Sequence, residues 1–273
     1  MLDAIQKSIR ACKIAIVTRA QLKAITLQEA FDTISYLFPP LGVYSTPKRL
    51  AKSLLGFNQK LRKSIDGVEG EIRGLALSQH TTLGGGVNLC AKATSGKAGC
   101  AENCLGKGMR YSWHYNREIR AARTRALVLH PIAFFKLLIY AINSLPITTA
   151  IRLNVLSDCI FEVLCPALFD DPKRQFYDYS KIPGRTPPPN YTLVFSRSGE
   201  NDTDCLETLE SGGIVSAVFD KELPSRFFGR PVLDGDLSDY RFRDPPGHVV
   251  GLRLKKVVHA NGKRSARGLV VIQ

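Results

Sequence analysis

The chain has 273 residues, 44% hydrophobic and 23% charged, with 38 Lys and Arg against 24 Asp and Glu and a formal net charge of +14. That composition excludes a disordered polyelectrolyte and provides a core for one large domain, alone or with a smaller appendage. The positive excess favours a polyanionic partner, DNA or RNA, or an anionic substrate, with a solvated basic surface as the plainer reading.

The N-terminal stretch MLDAIQKSIRACKIAIVTRA interrupts its apolar residues with Gln, Lys and Arg, unlike a signal peptide. No window reaches the roughly 20 apolar residues of a membrane span. Seven cysteines, an odd number spread over a long chain, do not read as a secreted disulfide scaffold. The expectation is a cytoplasmic protein with no membrane partner, in which clustered Cys signals metal or redox chemistry.

Residues 1–70 read as a basic helical N-terminal extension in three pieces, AIQKSIRACKIAIVTRAQL, LQEAFDTISYLF and TPKRLAKSLLGFNQKLRKSI. Thr26 with Glu29 forms a capping-box pattern, and Pro39-Pro40 closes the second piece. In the third, Leu50, Leu54, Leu55 and Phe57 recur at roughly helical spacing among Lys48, Arg49, Lys52, Lys60, Arg62 and Lys63. Such a helix lies on phosphate or packs on the main domain with a solvated basic face. Cys12 is expected to be a buried small hydrophobe.

Residues 71–273 read as an α/β domain that begins with the strand GLALS and the Gly-rich loop of Cys90, Cys100 and Cys104, a C-x9-C-x3-C arrangement. After the loop, MRYSWHYNREIRAARTRALVLH and PIAFFKLLIYAI form helices broken at Pro131, with Trp113 expected in the core and Arg117, Arg120 and Arg123 along one face. From Ile151 onward, IRLNVLSD, FYDYSK, YTLVFSRS, SAVFDK and HVVGLRLKK read as strands, PVLDGD as a shorter one, and FEVLCPALF and CLETLES as helices. KIPGRTPPPN is extended and non-helical. This alternation predicts a parallel sheet, open or closed into a partial (β/α) barrel.

Polar residues fall at the carboxyl ends of these strands, the rim at which parallel α/β folds bind ligands. Ser157, Asp158, Tyr179, Lys181, Ser196 and Arg197 are the candidate catalytic residues there, with Ser198, Asp220 and Lys221 beside them. The loop thiols have three readings: a [4Fe-4S] cluster, a structural zinc site, or unconnected buried thiols. Cys159 is the best remote fourth ligand, with His80 and His114 as substitutes, while Cys165 and Cys205 fall in predicted helices. Among Asp234, Asp236, Asp239 and Asp244, pairing with Arg241 and Arg243 is the safer expectation, and a divalent cation the other. No Ser-His-Asp set, P-loop or HExxH motif is present.

The loop, followed by YNREIRAARTRALV, IRLNVLSD, YDYSK, VFSRSGE and PVLDGDLSDYRFRDPPGHVVGLRLKK, resembles the phage gene product 88 family over about residues 70 to 258. That resemblance implies a cysteine-containing loop and a host-cytoplasmic setting, without a settled activity. A looser similarity is to radical S-adenosylmethionine enzymes, which place three cluster-ligating cysteines after the first strand of a partial barrel. Their spacing is C-x3-C-x2-C, and their Gly-Gly-Glu segment has no counterpart after IRLNVLSD. Gly84, Gly85 and Gly86, the candidate cofactor-binding glycines, precede the cysteines. The first expectation is redox or radical chemistry at the rim; the alternative is a nucleic-acid-binding protein whose metal staples the loop.

Overall fold

The computed structural model describes residues 2–56, 71–94, 100–101, 104, 106, 113–220, 222–254 and 270–271. The first helix, α1 (Leu2–Cys12), is shorter than the pattern predicts. Lys13 turns the backbone to a φ of 53°, and the stretch from Ile14 to Val17, three of its four residues β-branched, runs extended. The Val17 N–H bonds the Leu164 carbonyl at 2.8 Å, so this stretch is held by the main domain.

Two capping boxes restart the helical layer. Thr18 with Gln21 opens α2 (Arg19–Lys23), and Thr26 with Glu29 opens α3 (Leu27–Ile34). Thr46 caps α4 (Pro47–Leu54), which has Pro47 in its first turn. The chain then becomes β1 (Leu55–Gly56), antiparallel to β2 (Ile72–Leu75). Lys60, Arg62 and Lys63 of the predicted basic helix lie outside the described residues.

The long helical segment is divided as expected into α5 (His114–Leu129) and α6 (Pro131–Asn143), bent by 120° at His130. No single helix is long and apolar enough to cross a membrane among the described residues. Helix α6 buries Phe134, Phe135, Leu137 and Leu138 in one core with Ile34 of α3 and Leu50 and Leu54 of α4. The N-terminal helices therefore share their apolar interior with the helix that follows the cysteine loop.

After α6 come β3 (Ala150–Arg152), α7 (Phe161–Leu164), β4 (Phe176–Ser180), β5 (Tyr191–Ser196), α8 (Asp202–Glu210) and β6 (Ile214–Phe219). The hairpin of β7 (Arg226–Phe227) and β8 (Arg230–Asp234), then β9 (Val249–Arg253) and β10 (Val270–Val271), complete the sheet. Its order is β1-β2-β3-β4-β5-β6-β9-β8-β7, with β10 also on β6, and among the described residues all pairings are parallel except the two at the edges. The fold is α/β, and β2 through β6 run in chain order, as the strands of a partial (β/α) barrel do.

Alternation along each strand separates two faces. Leu75, Ile151, Phe176 and Tyr191 join the helical core, and Phe195, Val215 and Ala217 pack with Cys205 and Leu209 of α8. The opposite face carries Ile72, Ala150 and Tyr177, packed with Tyr240 and Phe242 from the chain between β8 and β9, and Val194, Ile214 and Val250. The connection from β4 to β5, residues 181–190, contains no helix.

Candidate functional site

The cysteine loop is anchored by backbone hydrogen bonds at both ends of its first half. Asn88 donates to Ala11 at the end of α1 (2.8 Å), Leu89 donates to His80 (3.1 Å), and Asp158 in the loop after β3 donates to Leu89 (2.8 Å). Cys90 follows. Its sulfur accepts the His80 N–H at 3.4 Å and its thiol points at the Leu156 carbonyl at 3.6 Å. Burial pushes this thiol well above the usual range, opposed by the His80 N–H.

Beyond Cys90 the loop turns through an Ala93-to-Cys90 hydrogen bond. Thr94 then closes it: its hydroxyl accepts the Cys100 N–H at 2.9 Å and its carbonyl accepts the Ala101 N–H at 3.0 Å. Cys100 and Cys104 both lie within electrostatic range of Cys90. Gly106 passes so close to the buried Gln79 that a Cβ there would stand 2.7 Å from Gln79 Cδ. The loop thus returns onto the segment just after β2.

Lys181, directly after β4, joins this group. Its ammonium lies within electrostatic range of Cys100, Asp158 and Cys90; burial works to lower its pKa, but those three groups offset that and leave it raised. Its backbone N–H donates to Asp158 Oδ2 at 2.8 Å. Asp158 also faces Arg185 at 3.5 Å, and Arg185 pairs with Glu162 at 2.6 Å. Asn154 shapes the same loop by accepting from Ser157 Oγ and the Cys159 N–H and donating to the Cys159 carbonyl.

Of the candidate residues, Ser157, Asp158 and Lys181 share the carboxyl-end rim with Cys90 and Cys100. Tyr179 belongs to the opposite face of the sheet, where its hydroxyl faces Asp239 at 3.4 Å and its ring lies under Arg152 at 4.8 Å. Ser196 faces Ser216 at 3.2 Å, and Arg197 pairs with Asp202 in the first turn of α8 at 2.8 Å. Cys159 is fully buried with its sulfur 3.9 Å from that of Cys12, which is buried as expected. Gly84, Gly85 and Gly86 all take positive φ in a turn beside Lys13, whose ammonium donates to the Gly85 carbonyl at 3.0 Å.

Several side chains differ from the sequence reading. Trp113 is 62% exposed rather than core, because α5 begins one residue later and buries Ile119, Ala122 and Ala126 instead. The three arginines of α5 diverge: Arg117 is exposed, Arg120 is buried, and Arg123 reaches the Ser53 carbonyl. In the acidic stretch, Asp244 does pair with Arg241 at 2.8 Å, but Asp239 takes Arg152 at 3.4 Å, and Asp234 and Asp236 take Arg253. Asn154, Asp178 and Arg185 organise the rim and are not among the candidates; a polar position inside an otherwise apolar strand run hints at Asn154 and Asp178, and nothing in the connection KIPGRTPPPN singles out Arg185.

Among the described residues, no group of three or more His, Cys, Asp or Glu side chains is drawn together closely enough to hold a metal ion. The donor chemistry itself fits a thiophilic centre: three thiols on one loop, with Cys100 and Cys104 within electrostatic range of Cys90 and Lys181 within electrostatic range of Cys90 and Cys100. Binding would require these thiols to contract around the metal, which couples ligation to ordering of the loop.

The family model described as gene product 88 matches residues 51–270, beginning within α4 and running to β10. No curated protein and no solved structure matches the chain.

Proposed function

We propose that this chain, which belongs to the gene product 88 family, binds a [4Fe-4S] cluster through Cys90, Cys100 and Cys104 and serves in redox chemistry at the carboxyl-end rim of its sheet. The observation that carries the reading is the loop of three cysteines fastened to the ends of parallel strands, through Asp158 to Leu89 and Cys100 to Thr94, with the Lys181 backbone on Asp158 and its ammonium within electrostatic range of Cys90 and Cys100. A cluster bound there would supply one-electron transfer. Lys181 would offset the negative charge of the thiolates, and the bonds from the Asp158 N–H to Leu89 and from the His80 N–H to the Cys90 sulfur would hold the loop on the strand ends. Gly84, Gly85 and Gly86 serve the turn against Lys13, so S-adenosylmethionine forms no part of the reading.

Anaerobic purification tests this directly. The reading expects brown protein with a broad band near ~400 nm and iron and sulfide in comparable amounts. Colourless protein with one zinc would replace it with a structural metal site.

A second reading, binding of DNA or RNA, draws on a different observation. Trp113 and Tyr115 are 62% and 51% exposed at the start of α5, with exposed Arg117 one turn further on, in a chain of charge +14. Exposed rings with a cation alongside suit stacking of unpaired bases.

A further inference from the structure

We propose that Cys12 and Cys159 form an oxidisable dithiol that closes to a disulfide, joining the end of α1 to the loop after β3. Their sulfurs are 3.9 Å apart although the residues are 147 positions apart in the chain, and both side chains are buried. Both segments are already fixed at this point. Ala11 accepts the Asn88 N–H at 2.8 Å, and the Cys159 N–H is held by Asn154 Oδ1 at 2.8 Å. Closing the pair therefore needs side-chain movement of under 2 Å beyond a normal S–S length of about 2.05 Å, with the flanking backbone held in place.

The surroundings separate this pair from the loop thiols. Cys159 lies 4.0 Å from the Leu89 carbonyl, immediately before Cys90, while Cys90 turns toward Leu156. The structure thus gives Cys159 a sulfur partner in Cys12. The chemistry is a two-electron oxidation. With hydrogen peroxide, the two S–H bonds break, one S–S bond forms, and the peroxide O–O bond is cleaved to give two waters. Entry of so small an oxidant requires only local opening of the structure around Cys12. The proposal does not depend on metal binding at Cys90, Cys100 and Cys104.

The consequence is regulatory as well as covalent. The loop that carries Cys159 also supplies the Leu156 carbonyl to Cys90 and the Asp158 N–H to Leu89. A Cys12–Cys159 bond would lock α1 against that loop, so the oxidation state of one thiol pair would be felt by the rim.

The test uses the full chain under native conditions: brief exposure to hydrogen peroxide, acid quench, alkylation and tryptic mass spectrometry without reduction. The expected product links the peptide of Cys12 to that of Cys159 and has lost two hydrogens. Because Cys165 shares the Cys159 peptide, the Cys165→Ala variant must still form the link. Oxidation should raise the thermal midpoint of wild type and leave that of Cys12→Ala unchanged. Cys12 remaining fully alkylatable after oxidation of wild type, or linking equally to all the other cysteines, would overturn the proposal. The wild-type readout stands even where a variant folds poorly.

Discussion

The phenol of Tyr191 donates to Oδ2 of Asp178 at 2.8 Å, joining two fully buried polar groups on neighbouring strands. The same carboxylate accepts the Leu153 N–H at 3.2 Å and the Asn154 N–H at 2.7 Å. Asp178 therefore sets the start of the loop that carries Ser157, Asp158 and Cys159, although it lies on the strand and not at the rim.

Burial pushes Asp178 up to about 7, against the favourable pull of Arg152, Asn154 and Tyr191. Its folded-state pKa thus exceeds its unfolded value. Between about pH 4 and 7 the folded chain holds a proton that the unfolded chain releases, so stability falls as pH rises through this window, by at most about 1.4 kcal/mol per unit. Urea midpoints at pH 5 and pH 8 should show the fall in wild type and a flatter profile in Asp178→Asn. An equal slope in both proteins would assign it to other groups.

Arg185 has a 2% exposed side chain paired with Glu162 and Asp158, which are 8% and 11% exposed. Replacing it by Met strands a buried Glu162 carboxylate, and the expected cost is about 3–5 kcal/mol in denaturant unfolding. Adding Glu162→Gln should recover part of that loss. A double variant no more stable than the single one would show that the pair is not the source.

Single Ser replacements at Cys90, Cys100 and Cys104 should each abolish or cripple cluster binding, read as iron and sulfide per chain. Cys205→Ala is the control, because Cys205 packs against Leu209 and Val215 in a separate apolar cluster. Equal loss in the control would point to folding, and full retention in all three Ser variants would remove the loop from the ligand set.

If the basic charge serves nucleic acid, affinity for single strands should fall steeply with salt. Trp113→Ala should weaken binding by roughly 1–3 kcal/mol, the range for loss of a stacking ring. Arg117→Glu should reduce the salt slope. Fluorescence anisotropy over a salt series decides the matter: absence of binding at low ionic strength excludes this reading.

Much of the architecture was legible because its signals are local. The strand runs at Phe176, Tyr191 and Val249 and the break at Pro131 follow from alternation and proline chemistry. The division of the first helix was less visible, because it turns on Lys13 adopting positive φ and on the bond from Val17 to Leu164, a partner 147 positions later. The same holds for the site. Spacing brought out the three loop cysteines, but the approach of Cys12 to Cys159 and the burial of Arg185 depend on long-range packing that no short motif encodes.

The connection between β4 and β5 covers the length of a strand with the ten residues KIPGRTPPPN. A helix advances about 1.5 Å per residue, whereas a proline-rich extended chain advances about 3.1 Å. This segment is a strap with turns at residues 183–184 and 189–190, pinned where Arg185 grips Glu162 and where the Tyr191 N–H donates to the Pro188 carbonyl. Its hold on the rim therefore lies in its pins and not in its length: residues inserted among Thr186 to Pro188 add slack that solvent can accommodate, whereas a deletion that removes Arg185 or Lys181 takes away a fastening to Glu162 or Asp158 beside the cysteine loop.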